Sequence, residues 1–111
     1  MATVKIMQGD EYDIYINFKQ DNVTLKPALV EDIEICVGTG ILKTYKDGSV
    51  LFDNRELKWY FRLTQQETLA MEEGQHQNIA RIKYTGASQS DVVGIRLDSF
   101  VVTATTSTEV L

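Results

Sequence analysis

Between Leu57 and Tyr84 the chain alternates polar and apolar residues, breaks phase once, and alternates again. No other stretch restricts the fold so tightly. In the first run Leu57, Trp59, Phe61 and Leu63 share one face, with Lys58, Tyr60 and Arg62 on the other. A period of two belongs to an extended strand, and one apolar with one polar face suits antiparallel sheet. At Thr64 the period changes. Thr64 followed by Glu67 fits a capping box, in which hydroxyl and carboxylate each take an orphan backbone N–H. One short helical turn is expected near Gln65-Met71, too short to pack as an independent helix. Leu69 and Met71 should fold back onto the core, and Gly74, tolerant of positive φ, should end the turn. Asn78, Ala80, Ile82 and Tyr84 then share one face, with Ile79, Arg81 and Lys83 opposite. The unit reads as strand, arch, strand, crossing from one sheet to another.

The flanking sequence is built in the same way. Val4 and Ile6 alternate with Thr3, Lys5 and Met7. After Gly9-Asp10-Glu11 the alternation resumes with Tyr12, Ile14, Ile16 and Phe18, while Asp13, Tyr15 and Asn17 face the other way. The constant parity suggests one long edge strand kinked at Gly9, able to pair with both sheets. Gln20-Asp21-Asn22 reads as a turn and Lys26-Pro27-Ala28 as a loop, Pro27 holding Lys26 extended. Ile33, Ile35 and Val37 form the next apolar face, opposite Asp32, Glu34 and Cys36, and Gly38-Thr39-Gly40 ends or bulges that strand. Residues 41–45 either continue it or begin another. Lys46-Asp47-Gly48-Ser49 carries the Asp-Gly signal of a hairpin. Val50, Leu51 and Phe52 follow, and Asp53-Asn54-Arg55-Glu56 turns into the central unit. Residues 85–91 read as a hairpin loop. Val93, Ile95 and Leu97 alternate, and the phase then flips to Phe100, Val102 and Ala104, which calls for a bulge at Asp98-Ser99.

About seven or eight short strands at roughly 8–12-residue spacing, separated by turn signals, form the pattern of an all-β, immunoglobulin-like antiparallel β-sandwich. One domain is expected over residues 1–104, with a flexible C-terminal tail over 105–111. The chain has 111 residues, enough for one core. Its 43% hydrophobic content and formal charge of −5 are those of a globular domain without a sequence-independent hold on nucleic acid. No apolar run reaches the roughly 18 residues of a membrane span, and the N-terminus lacks the basic and apolar regions of a secretion signal. The single cysteine, Cys36, cannot form an internal disulfide. These features suggest a protein made in, and kept reduced by, a cytoplasm.

No constellation of residues specifies catalysis. His76 is the only histidine, with no nucleophile in a recognisable motif beside it, and Glu72-x-Gly74-x-His76 looks like a variant of the tyrosine corner of immunoglobulin-like domains. Cys36 lacks an adjacent base and reads as an inert side chain. The acidic clusters Asp10-Glu11-Asp13, Glu31-Asp32-Glu34 and Glu72-Glu73 do not match calcium-loop spacing and read as solvated faces. Used as a pair of acids they would imply a glycoside hydrolase, which sequence separation alone does not support. Of Trp59, Tyr60 and Phe61, alternation leaves only Tyr60 outward, so Tyr15, Tyr45 and Tyr60 are the candidate exposed aromatics. No enzyme activity, cofactor or metal is expected.

Three stretches, IMQGDEYDIYINFKQDN, LKWYFRLTQQETLAMEEGQHQNIARIKY and VVGIRLDSFVVTATT, resemble the opening strand, central unit and closing hairpin of one family. This family comprises immunoglobulin-like domains of phage and prophage tail or baseplate proteins of Gram-positive bacteria, and the N-terminal domain of baseplate upper proteins is similar. The resemblance implies no catalytic residues. It implies a non-enzymatic structural or adaptor component of the virion, whose partners are other tail or baseplate proteins, with a homo-oligomer also allowed and neither nucleic acid nor membrane among them. The edge strand over residues 12–18 would recruit partners by strand addition, and the tail would order on binding. Tyr15, Asn17, Tyr60 and Arg62 are the expected contacts. The alternative is a carbohydrate-binding or adhesin-like module, with exposed aromatics beside amide or acid groups.

Overall fold

The computed structural model describes residues 4–20, 22–38, 40–85, 92–97 and 99–105. All but Thr85 of the loop expected over 85–91, all but Thr105 of the tail expected over 105–111, residues 1–3, Asp21, Thr39 and Asp98 lie outside the described residues. The first half of the chain forms β1 (Val4–Met7), β2 (Tyr12–Ile16), β3 (Lys19–Gln20), β4 (Val23–Thr24), a 3-10 turn (Pro27–Leu29) and β5 (Val30–Val37). Then come β6 (Ile41–Thr44), β7 (Val50–Asp53), β8 (Lys58–Leu63) and α1 (Gln65–Ala70). The chain closes with β9 (Gly74–His76), β10 (Asn78–Tyr84), β11 (Val92–Arg96) and β12 (Phe100–Thr103).

One sheet has the order β2-β8-β7. Opposite it are a four-stranded sheet, β6-β5-β10-β11, and a three-stranded one, β9-β12-β1, taken together as the second sheet. Gln77 alone separates β9 from β10, and β12 begins at Phe100, shortly after β11 ends at Arg96. Taking β9 with β10 and β11 with β12, and setting aside the small β3–β4 hairpin, leaves eight strands among the described residues, in the order of an immunoglobulin-like sandwich. The register shifts by one residue between the two ladders, Ile79 facing Arg96 in the upper and His76 facing Phe100 in the lower, while the bulge expected at Asp98-Ser99 falls partly on Asp98, outside the described residues. That slip turns Phe100 and Val102 inward. The ladders are antiparallel except for β1, which runs parallel to β12.

Apolar side chains from both sheets meet in one core. Trp59 is at its centre, fully buried, with its indole N–H donating to the Leu25 carbonyl at 2.7 Å. The edge-on rings of Phe52 and Tyr45 lie 5.1 and 5.2 Å away. Tyr45 is therefore a core-packing ring and not the exposed aromatic expected. The inward face of β10 follows the sequence expectation, with Asn78, Ala80 and Ile82 buried and Tyr84 partly so.

Several local expectations need correction. Leu57 does not join the core face of β8: it adopts a left-handed φ of 55° and is 44% exposed. The turn from Asp53, whose carbonyl accepts from Leu57 N–H at 2.8 Å, uses up that residue before alternation begins. Tyr12 is likewise exposed despite its parity, since β2 starts there at the sheet's rim. The helix ends at Ala70, four residues before Gly74, which instead opens β9. Asp47-Gly48 makes a turn but not a hairpin, for β6 pairs with β5 while β7 pairs with β8. An Asp-Gly step specifies chain reversal and leaves the next strand's partner to burial, here of Val50.

The Gly9 break is also a reversal and not a kink. Asp10 N–H donates to the Met7 carbonyl at 3.0 Å, and Gly9 takes φ +91° as the third residue of that turn. β1 thus joins one sheet and β2 the other, as the sheet-switching expectation required. Thr105, expected to fray, donates its N–H to Gln8 Oε1 at 3.3 Å.

Candidate protein-interaction face

The outward face of the β2-β8-β7 sheet brings three of the four expected contact residues together. Tyr15 pairs with Tyr60, and Tyr60 in turn pairs with Leu51. Because side chains directly opposite in a sheet share a face, these three form a row across all three strands. The two tyrosine rings stack with centroids 5.3 Å apart, and Tyr15 and Leu51 are 47% and 43% exposed. Two pairs along, on the same face, Arg62 faces Asp13 and donates from Nε to Oδ1 at 2.8 Å and from Nη2 to Oδ2 at 3.2 Å. Asn17 is exposed but lies beyond Ile16, the last paired residue of β2, so it does not join the row.

The electrostatics follow from this register. The hydrogen bond from Arg62, helped by its charge, holds the Asp13 carboxyl below the usual carboxylate range. Partial desolvation, then the negative charges of Asp53 and Asp13, push the Tyr15 hydroxyl above the ordinary tyrosine range. Tyr15 therefore stays neutral at physiological pH, with its hydroxyl 3.5 Å from Asp53 Oδ2. The face combines neutral aromatic surface with a paired charge, the kind of surface enriched at protein interfaces. Sequence reasoning missed Asp13 and Leu51 as members. Alternation put Asp13 outward, whereas the apolar run Val50-Leu51-Phe52 gave Leu51 no face, and only the pairing of β2 and β7 with β8 aligns the two with Arg62 and Tyr60.

The residues weighed for chemistry have structural work. The His76 ring Nε2 lies within hydrogen-bonding distance of the Glu72 carbonyl, as a tyrosine-corner substitute would. A Cβ on Gly38, which has φ +59°, would meet that ring at 3.0 Å, so the glycine makes room for it. Cys36 is half-buried on the outer face of β5, its Sγ 3.9 Å from Glu34 Oε1. The acids are engaged locally: Glu34 binds the Arg81 guanidinium, Glu31 lies 3.5 Å from Lys83 Nζ, and Asp32 Oδ1 accepts from the N–H groups of Ile33 and Lys46. Among the described residues no group of three or more His, Cys, Asp or Glu side chains is arranged to hold a metal ion. In comparisons with known proteins, no family model matches the chain and no curated protein sequence matches it.

Proposed function

We propose that this chain is a non-enzymatic structural or adaptor component of a phage or prophage tail or baseplate, acting through protein–protein contacts. The observation that carries the reading is the outward row Leu51-Tyr60-Tyr15, its two ends exposed, flanked by the Arg62–Asp13 pair, on a sheet whose β2 edge has no second strand among the described residues. The sequence resemblance supplies the virion setting. Stacked tyrosines offer a large contact area at little entropic cost, and a paired arginine adds direction to the contact.

Co-purification with neighbouring tail and baseplate proteins tests this. Tyr15→Ala combined with Tyr60→Ala should weaken association by about tenfold or more, the size of a hot-spot loss. Unchanged association would discard this face. A carbohydrate-binding reading draws on the same tyrosines beside Asp53. Their rings, however, stack on each other, so a glycan array should stay silent.

A further inference from the structure

The flank of the sandwich beside β2 is open. Ile16 on β2, Ile95 on β11 and Leu97 just after it are partly exposed although they pack against the core. Together with Ile14, Phe18 and Phe100 they line a groove of about 670 Å³. Its length follows residues 14–19, from β2 into the start of β3, and its far wall is made by Ile95, Arg96, Leu97 and Phe100. Along the groove β2 is a sheet edge with no second neighbour among the described residues, and such an edge offers N–H and C=O groups for pairing. A partly exposed interior beside a free strand edge lacks one strand.

Charge narrows the occupant further. Lys19 and Arg96 stand at the groove, and neither has an ion-pair partner among the described residues. In a chain of net charge −5, two such cations at one apolar groove favour an anion there. The walls belong to both sheets, so the side chains of a single extended segment fit between them, whereas a second sandwich would bring its own opposing sheet against β11.

We infer that the groove binds an extended segment of a partner protein that adds to β2 as a further strand. Its alternate apolar side chains fill the space facing Ile14, Ile16 and Phe18, and a carboxylate at one end meets Lys19 and Arg96. Backbone pairing supplies affinity, the apolar alternation supplies register, and the carboxylate sets direction. This rests on the assembly reading above and names the partner's chemistry.

The test is a titration of isotope-labelled protein, followed by amide NMR, with a short synthetic peptide alternating valine and threonine and bearing a terminal glutamate. Saturable shifts are expected at the amides of residues 14–19 and 95–97. Affinity should fall about threefold for each of Lys19→Glu and Arg96→Glu, and likewise when the peptide's glutamate becomes lysine. Both variants alter exposed side chains, and their own spectra report whether they fold. Absence of shifts, shifts confined to the outer face around Tyr60, or indifference to the charge changes would overturn the proposal. So would shifts at the groove that grow with protein concentration without peptide, since a second copy would then be the occupant. Tyr60→Ala leaves the groove intact, so loss of assembly in that variant tests the outer face separately. Failure of the peptide with assembly unaltered would sink only the groove.

Discussion

Trp59 is the largest side chain that the core encloses completely, and it is polar at one atom. Its indole N–H reaches the Leu25 carbonyl, so the ring ties the strand edge near β4 to the centre of β8. Trp59→Phe would keep most of the apolar bulk, leave a small void and strand that carbonyl. The expected cost is about 2–3 kcal/mol, measured by urea unfolding, from a partial cavity together with one unsatisfied acceptor. A cost below about 0.5 kcal/mol would mean that water reaches Leu25. The position of Trp59 was legible in the alternation of residues 57–63. Its partner was not, since Leu25 is separated from it by 34 residues and belongs to a loop with no period of its own.

At the scale of elements, α1 is decided by local and remote chemistry together. Thr64 and Glu67 form the capping box read from the sequence: Glu67 N–H donates to Thr64 Oγ1 at 3.2 Å and Thr64 N–H to Glu67 Oε1 at 2.9 Å. Six residues with such a cap would not hold alone in water. What anchors the helix is Thr68, fully buried, whose hydroxyl donates to the Asp10 carbonyl at 2.7 Å and accepts from Gly9 N–H at 3.0 Å. The helix thereby clamps the turn that sends β1 and β2 into different sheets. Thr68→Val keeps the shape and removes both bonds, leaving the partly buried Gly9 N–H and Asp10 C=O without this partner. A loss of about 2–3 kcal/mol in unfolding free energy is expected, with faster hydrogen exchange at the Gly9 amide. Wild-type exchange at that amide in the variant would refute the clamp. No local signal marks Thr68, because its partners lie 58 and 59 residues away.

Across the whole molecule, stability should depend on pH in a defined sense. Burial acts to raise the Glu67 carboxyl but is outweighed by the hydrogen bonds from Lys43 and Thr64, so it sits below the ordinary glutamate range. Asp13 and Asp47 are also lowered, by hydrogen bonds from Arg62 and from Ser49 respectively. A carboxyl with a depressed folded pKa stabilises above its unfolded value, roughly 4, and that contribution is lost as pH falls through the folded value. Unfolding free energy should therefore be level above about pH 5 and decline below about pH 4. The exposed aspartates contribute little once salt screens them. Glu67 contributes more, because Lys43 Nζ binds it at 2.8 Å with the lysine side chain only 13% exposed. Lys43→Met should cost about 1–2 kcal/mol at pH 7, less at pH 3, and flatten the acid slope. An unchanged slope in that variant would assign the dependence to other carboxylates.

Local sequence marked where most of the longer strands run, which face of most of them is apolar, where the capped turn falls and that the closing strands change phase. Each of these is a local property, set by side-chain alternation, capping chemistry and turn residues within a few positions. Tyr15, Tyr60 and Arg62 could be named as outward-facing for the same reason. Tertiary structure alone decided the pairings: that Asp47-Gly48 joins two sheets, that β1 runs parallel to β12, and that Asp13 meets Arg62. It also decided the exceptions, Leu57 and Tyr12, where a turn or a sheet rim overrides the alternation. The groove beside β2 belongs to this second group, for an apolar alternation states which side chains seek cover but not whether another strand of the same chain arrives to provide it.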